Sequence, residues 1–170
     1  IVTDEMRDQS YEKKSAASDA AASGDLDAAL ALYTECLMLN PSPLTFAKRA
    51  EISLKAGNAE AAVADCDAAL AKNPDSAKSL KIRGNSYVAM EKWEEANADL
   101  AKAMRCDPDP ATQALMKEVQ EKAVAIKQEK LAAKRTADAK EAEDRKAMRE
   151  RVKREREEAE VLEREIRAAR

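Results

Sequence analysis

Three cations lie close together in the segment KSLKIRGN, residues 78–85: Lys78, Lys81 and Arg83. Ammonium and guanidinium groups form strong, charge-assisted hydrogen bonds with carboxylates, so the segment could bind an acidic partner. Ile82 interrupts the cations with an aliphatic side chain, which predicts a partner surface that is part acidic and part apolar. Whether these residues act together depends on the elements that hold them.

The composition of the chain excludes several classes of protein. Of its 170 residues, 37% are charged, 3% are aromatic and three are Gly, a mixture that favours an all-helical fold. The formal net charge of −3 gives no reason to expect nucleic acid as a partner. No apolar run approaches the roughly 20 residues of a membrane span, so no membrane partner is expected. The chain begins with Ile1 and lacks signal-peptide features, so we expect a piece of a longer protein.

The sequence shows no pattern typical of a catalytic or metal-binding site. It contains no His, no glycine-rich phosphate loop and no nucleophile elbow, so we expect no enzyme activity, no cofactor and no metal. Its cysteines, Cys36, Cys66 and Cys106, are odd in number and widely spaced. With no export signal, this pattern favours a reduced, cytoplasmic protein whose thiols pack in the core.

Three segments of the chain superimpose without gaps. They are GDLDAALALYTECLMLNP, GNAEAAVADCDAALAKNP and EKWEEANADLAKAMRCDP, beginning at residues 24, 57 and 91. Each has an Ala near its start that allows close helix packing, and each closes on a Pro that ends its helix. The period resembles the 34 residues of tetratricopeptide repeats (TPRs). The prediction is an all-α right-handed superhelix of three repeats, 10–42, 43–76 and 77–108, preceded by an acidic linker at 1–9.

The pattern changes after the third repeat. Asp109 as N-cap and Pro110 at the first helical position start a new helix. Its apolar stripe is Leu115, Met116, Val119, Ala123 and Ile126, which predicts a capping helix over 109–130. A charged helical extension is predicted for 131–170, supported by opposite charges four residues apart that contribute about 0.2–0.5 kcal/mol each. Partial disorder of its last part is one alternative. A coiled-coil strand is another, with a seam of Met148, Val152, Ala159, Leu162 and Ile166.

In a TPR stack, the first helices of the repeats line a concave face that binds peptides or proteins. The predicted lining residues are Lys14, Ser18, Leu44, Lys48, Lys55, Lys78, Lys81, Ile82 and Asn85. The groove is therefore expected to be basic within a mildly acidic protein, which favours an acidic partner surface.

Many TPR domains bind the C-terminal Glu-Glu-Val-Asp of heat-shock chaperones through a carboxylate clamp of Lys, Asn and Arg side chains. Lys14 and Lys78 match that set, whereas Ser18, Lys48 and Ile82 occupy its other three positions. Losing a charge-assisted Arg contact typically costs about 1.5–3 kcal/mol. The sequence therefore argues against the clamp, and an adaptor for acidic chaperone tails stays as the alternative function.

Several longer segments resemble the Hip family of co-chaperones. They are VTDEMRDQSYEKK, AKRA, DCDAALAKNPDSA, RGNSYVAMEKWEEANADLAKA and LMKEVQEKA. The resemblance implies binding to the nucleotide-binding domain of an Hsp70 chaperone in its ADP state, slower ADP release and less nucleotide exchange. We expect charge complementarity from Lys14, Lys48, Lys55, Lys78 and Lys81, an apolar contact from Ile82 beside Asn85, and a second contact from Met116 and Lys117. The family's dimerisation and client-binding parts have no counterpart in this sequence, so a monomer is expected.

Overall fold

The computed structural model describes residues 2–169, and the regular elements in that range are all α helices. They are α1 (Asp4–Ala22), α2 (Leu26–Leu39), α3 (Pro43–Lys55), α4 (Ala59–Lys72), α5 (Ala77–Ala89), α6 (Trp93–Cys106) and α7 (Pro110–Ala168). The first six form three hairpins, α1–α2, α3–α4 and α5–α6. Contacts of α2 with α3 and of α4 with α5 join successive hairpins. The predicted all-α repeat architecture is confirmed.

Side-chain caps fix where most of these helices begin. Ser42, for example, accepts a hydrogen bond of 3.2 Å from the amide of Thr45, and Pro43 follows at the first helical position. Within the hairpins, Gly24 and Gly57 turn the chain with φ of 86° and 82°, a backbone conformation that Gly adopts without a steric penalty. Glu91 stands at the corresponding turn of the third hairpin with φ of 57°, so that turn is made at some cost in strain.

The N-terminal boundary differs from the predicted one. Residues 4–9, assigned to an acidic linker, are the first turns of α1. Thr3 caps the helix, and Asp4 and Glu5 lie in its first turn, where negative charge is favourable. Ser10 is buried and its Oγ lies 3.0 Å from Sγ of Cys36 on α2, which ties this part of α1 to the core. Ile1 and Arg170, the outer ends of the predicted linker and extension, lie outside the described residues.

Small side chains let the helices approach closely in the core. Ala17 and Ala29 are fully buried in the first hairpin, and Ala50 and Ala62 are fully buried in the second. The third hairpin uses Gly84, where an added Cβ would lie 2.8 Å from Cδ2 of Leu100. Ala29 and Ala62, which the sequence repeat marks as small, are therefore buried where paired helices meet.

The residues divide into two compact units, one ending at Ala123 and the other starting at Val124. Helix α7 begins in the first unit, where Val119 is buried against Ala96 and Leu100 of α6. This packing covers the end of the third hairpin, as expected of a capping helix. In the second unit the side chains are almost all exposed, and ion pairs such as Glu141–Arg145 (2.5 Å) join residues four apart.

Two arginines bridge neighbouring repeats. Arg49 on α3 binds both carboxylate oxygens of Asp65 on α4, at 2.8 and 2.6 Å, and donates to Thr34 Oγ1 on α2 at 3.0 Å. Hydrogen bonding to Asp65 raises the pKa of Arg49. We call this arrangement an inter-repeat bridge. An arginine on the first helix of a repeat binds one side chain on the second helix of the same repeat and another on the second helix of the preceding repeat.

Arg83 makes the equivalent bridge in the next repeat. It binds both carboxylate oxygens of Asp99 on α6, at 2.6 and 2.8 Å, and also donates to Asp67 on α4. The hydrogen bonds to Asp99 raise the pKa of Arg83 above its already high ordinary value. The arginines are only partly exposed and the carboxylates of Asp65 and Asp99 are nearly buried, so these bridges belong to the core.

The three cysteines are free thiols in different environments, which gives a chemical test of the fold. Cys36 and Cys66 are buried as predicted, and burial raises the pKa of Cys66 to about 12. The prediction that all three thiols pack in the core is wrong for Cys106, the last residue of α6, which is exposed. We expect a thiol reagent such as Ellman's reagent to modify Cys106 in the native chain within minutes and the other two only after unfolding. Rapid reaction of two or three thiols in native buffer would contradict this packing.

No helix within residues 2–169 is both long enough and apolar enough to cross a membrane.

Candidate functional site

The candidate site is the groove formed by the first helices α1, α3 and α5. We define it by Lys14, Ser18, Leu44, Lys48, Glu51, Lys55, Lys78 and Asn85. A depression of about 200 Å³ between α1 and α3 is lined by polar residues such as Ser18, Lys48 and Glu51 and by apolar ones such as Ala21 and Ile52. The lining of a second depression of about 280 Å³, between α3 and α5, includes Pro43, Leu44, Ala47, Ser76 and Lys78. The groove therefore offers a depression of mixed lining next to one with more aliphatic lining.

Glu51 lies between the groove lysines, and sequence reasoning missed it. Its Oε2 forms an ion pair with Lys78 Nζ at 3.0 Å, and its Oε1 forms one with Lys55 Nζ at 3.2 Å. Burial by itself raises the pKa of Glu51, but the bonds from Lys78 and Lys55 outweigh it and lower that pKa overall. The spacing of Glu51 and Lys55, four residues apart on one helix, was the available signal.

The cations of the segment KSLKIRGN are all bonded to acids of the chain itself. Lys78 pairs with Glu51, as described above, and Arg83 forms the inter-repeat bridge to Asp67 and Asp99. The clustering of these cations therefore reflects ion pairs within the chain, and each cation links α5 to a different part of the fold.

Lys81 differs most from its predicted role. Its Nζ lies 2.6 Å from Asp109 and 2.9 Å from Asp107, and these carboxylates raise the pKa of Lys81. Asp109 also accepts the amide hydrogen of Thr112 at 2.9 Å and so caps α7. The hydrogen bond from Lys81 makes the largest contribution to lowering the pKa of Asp109. Lys81 therefore fastens the start of α7 to α5.

Ile82 does not provide the apolar groove surface expected of it. It is only 8% exposed and packs with Ala47, Ala50, Ala62 and Cys66 in the core between the second and third repeats. An aliphatic side chain at this point of the stack is more stable against those small apolar neighbours than in water. The exposed aliphatic residue of the groove is Leu44, with 52% of its surface accessible.

The other predicted contact residues are spread over two regions. Lys14 and Lys48 are partly buried on α1 and α3, and Asn85 is exposed on α5. Ser18 lies in the groove, where its Oγ is 3.1 Å from the hydroxyl of Tyr33. Outside the groove, Met116 is half-buried against the cluster of α6 and α7, whereas Lys117 is exposed. Met116 thus offers a partner less surface than Lys117 does.

The hairpins and the groove define the class of protein: the chain has the fold of tetratricopeptide-repeat proteins. The first TPR of Spaghetti (RPAP3), solved with the HSP90 peptide SRMEEVD, superimposes with a TM-score of 0.66 at 23% identity over 69% of this chain and 94% of that one. The Sgt2 TPR domain from Aspergillus fumigatus gives a TM-score of 0.66 at 22% identity over 74% and 83% of the two chains. The second TPR domain of human RPAP3, solved with the HSP70 peptide SGPTIEEVD, gives 0.64 at 21% identity over 68% and 98%.

Particular proteins are similar to the chain in sequence. It is 40% identical over 128 residues to the TPR repeat-containing thioredoxin TDX of Arabidopsis thaliana, and 36% identical over 134 residues to Hsc70-interacting protein 1 of Drosophila melanogaster. These matches cover 75% and 78% of this chain but only 34% and 36% of the relatives, so the chain spans about a third of their length. No protein-family model matches the chain.

Proposed function

We propose that the chain is a co-chaperone module that binds the nucleotide-binding domain of an Hsp70 chaperone in its ADP state. The similarity to Hsc70-interacting protein 1 over most of this chain supports a chaperone of that class as the partner. A module that binds the ADP state better than the ATP state stabilises the former by that difference in affinity alone. ADP release then slows and nucleotide exchange is opposed, without any chemistry by the module.

The observation that carries the proposal is that position 82 supplies no cation to the groove. A carboxylate clamp would need an Arg there to bind the end of a tail, and Ile82 is instead buried in the core. The groove itself offers lysines, an exposed Leu44 and the two depressions. A folded acidic surface with some apolar area suits this set better than a short tail does.

The tail-binding alternative is favoured by the solved TPR domains, which include complexes with HSP70 and HSP90 peptides. Lys14 and Lys78 would be the clamp residues that remain. Lys78 is already bonded to Glu51, which weakens the alternative further.

We further propose that the module is a cytosolic binding protein without catalytic activity. Thioredoxin chemistry uses a Cys-x-x-Cys pair, and the three cysteines of this chain stand far apart at positions 36, 66 and 106. The similarity to a thioredoxin-containing relative thus concerns its repeats rather than redox residues. Three free thiols fit a reducing compartment.

A direct titration tests the proposal. The chain is titrated with an isolated Hsp70 nucleotide-binding domain loaded with ADP or with ATP, and separately with the peptide SGPTIEEVD. We expect the ADP-loaded domain to bind roughly tenfold or more tightly than the ATP-loaded domain, a coupling of the usual allosteric size. Binding should weaken as salt rises, because exposed charges are screened.

Matched lysine variants locate the contact. Lys48→Gln, in the groove, should weaken domain binding several-fold, whereas Lys92→Gln, an equal charge change at the exposed start of α6, should leave it unchanged. Equal affinity for the ADP and ATP forms would contradict the state preference. Binding of the peptide without the domain would favour the tail adaptor.

A further inference from the structure

Glu51 places a carboxylate of the chain itself at the centre of a basic groove. Each of its two oxygens engages a different lysine, Lys55 on its own helix and Lys78 on α5. About a third of the Glu51 side chain is exposed, as are 60% of Lys55 and 44% of Lys78. The group is therefore formed at the surface, where a partner can reach all three members.

This arrangement neutralises part of the positive charge that an incoming acid would seek. Each lysine ammonium has three N–H donors and gives one to Glu51, so a partner carboxylate can bind Lys55 or Lys78 either in place of Glu51 or beside it. The remaining Glu51 charge would then lie near the incoming carboxylate and repel it. The neighbouring depression between α1 and α3 includes Glu51 in its lining together with Lys48, so the repulsion extends to that part of the groove.

We propose that Glu51 is the specificity-determining residue of the groove, acting as an internal competitor for acidic ligands. The inference rests on the proposed function in that it takes the groove to be the acid-binding surface. A short flexible tail loses conformational entropy when it binds, so its net gain is small when the Glu51 charge also opposes it. A folded partner presents several fixed carboxylates at once and can offset that repulsion. Glu51 thus selects acidic protein surfaces over acidic tails.

A purely structural role makes a different prediction. If Glu51 serves only to link α3 to α5, its loss changes the free energy of unfolding but not the affinity for anions. Surface ion pairs of this kind contribute little to stability, so the variant chain should remain folded and the two roles can be separated.

The test compares Glu51→Gln with Glu60→Gln in the 170-residue chain. Glu60 is exposed in the first turn of α4, so its substitution makes the same charge change outside the groove. The probes are the peptide SGPTIEEVD and the ADP-loaded nucleotide-binding domain, each titrated at low and at high salt. We expect Glu51→Gln to raise the affinity for the peptide roughly fivefold at low salt, the upper end of the range for one exposed ion pair. The gain should shrink at high salt, and Glu60→Gln should change the affinity less than about twofold.

The outcomes separate this inference from the proposed function. If the unaltered chain does not bind the domain but Glu51→Gln tightens peptide binding, the proposed function fails and the role of Glu51 stands. If the unaltered chain binds the domain and the two variants behave alike with both probes, Glu51 is not a competitor. The competitor role is also overturned if Glu51→Gln binds neither probe, because the released lysines must show a gain. The amide that Glu51→Gln introduces can still accept hydrogen bonds from the two lysines, so Glu51→Ala is tested as well. Its unfolding temperature is measured to check that the variant remains folded.

Discussion

Arg83→Met is expected to lower the free energy of unfolding of the repeat unit by about 3 kcal/mol, at the lower end of values for breaking a buried ion pair. The substitution keeps much of the aliphatic stem but removes the guanidinium that binds both oxygens of Asp99 and one of Asp67. The Asp99 side chain, 10% exposed, would be left nearly buried without its ion-pair partner. Chemical denaturation followed by circular dichroism measures the change.

A surface arginine provides the control for this prediction. Arg7→Met removes an exposed pair with Asp4, one turn away on α1, and should cost no more than about 0.5 kcal/mol. The double variant Arg83→Met with Asp99→Leu should recover part of the loss, because removing both charges avoids leaving one buried alone. If Arg83→Met were as mild as Arg7→Met, the inter-repeat bridge would have no energetic importance.

Gly84→Ala is expected to destabilise the same unit by about 2 kcal/mol, within the range for overpacking a core. An added Cβ would lie 2.8 Å from Cδ2 and 2.9 Å from Cγ of Leu100. Leu100 is fully buried, so its side chain has little room to move away. At an ordinary helix position, the same change from Gly to Ala would stabilise by roughly 1 kcal/mol, so even the sign of the effect tests the contact.

A double-mutant cycle with Leu100→Ala makes the test specific. Leu100→Ala by itself removes buried methyl groups and should cost about 2–5 kcal/mol. Combined with Gly84→Ala, the total should fall short of the sum by more than about 1 kcal/mol, because the cavity left by one change accepts the methyl group of the other. Strict additivity would show that the two residues are not in contact.

The sequence was sufficient to predict the pairing of the helices and most of their extents, although it placed the start of α1 too late. The repeat of small residues and closing prolines predicted three hairpins, and Asp109 with Pro110 predicted the start of α7. These features are local, since helix caps and the spacing of packing residues depend on near neighbours in the chain. The packing of Val119 against α6 also followed from the apolar stripe.

The side-chain partners in the groove could not be predicted in the same way. Lys81 meets Asp107 and Asp109 only because α5 and the start of α7 come together in the fold. Ile82 was placed on the groove by its position in the repeat, yet its side chain packs in the core against small residues of α3 and α4. Charges brought together from distant parts of the chain, as in the pair of Glu51 with Lys78, are set by tertiary structure.

The inter-repeat bridges have a consequence for how the stack comes apart. Arg49 and Arg83 occur in the second and third repeats, and Ala16 occupies the matching place in the first. The hairpin α1–α2 therefore has no guanidinium of its own at that place. It is held to the second repeat by the bond to Thr34 and by apolar contacts such as those around Ile52. In a linear array, loss of order starts where the nearest-neighbour coupling is smallest. The amino-terminal hairpin would open first, carrying Lys14 and Ser18 away while the remaining two hairpins stay assembled.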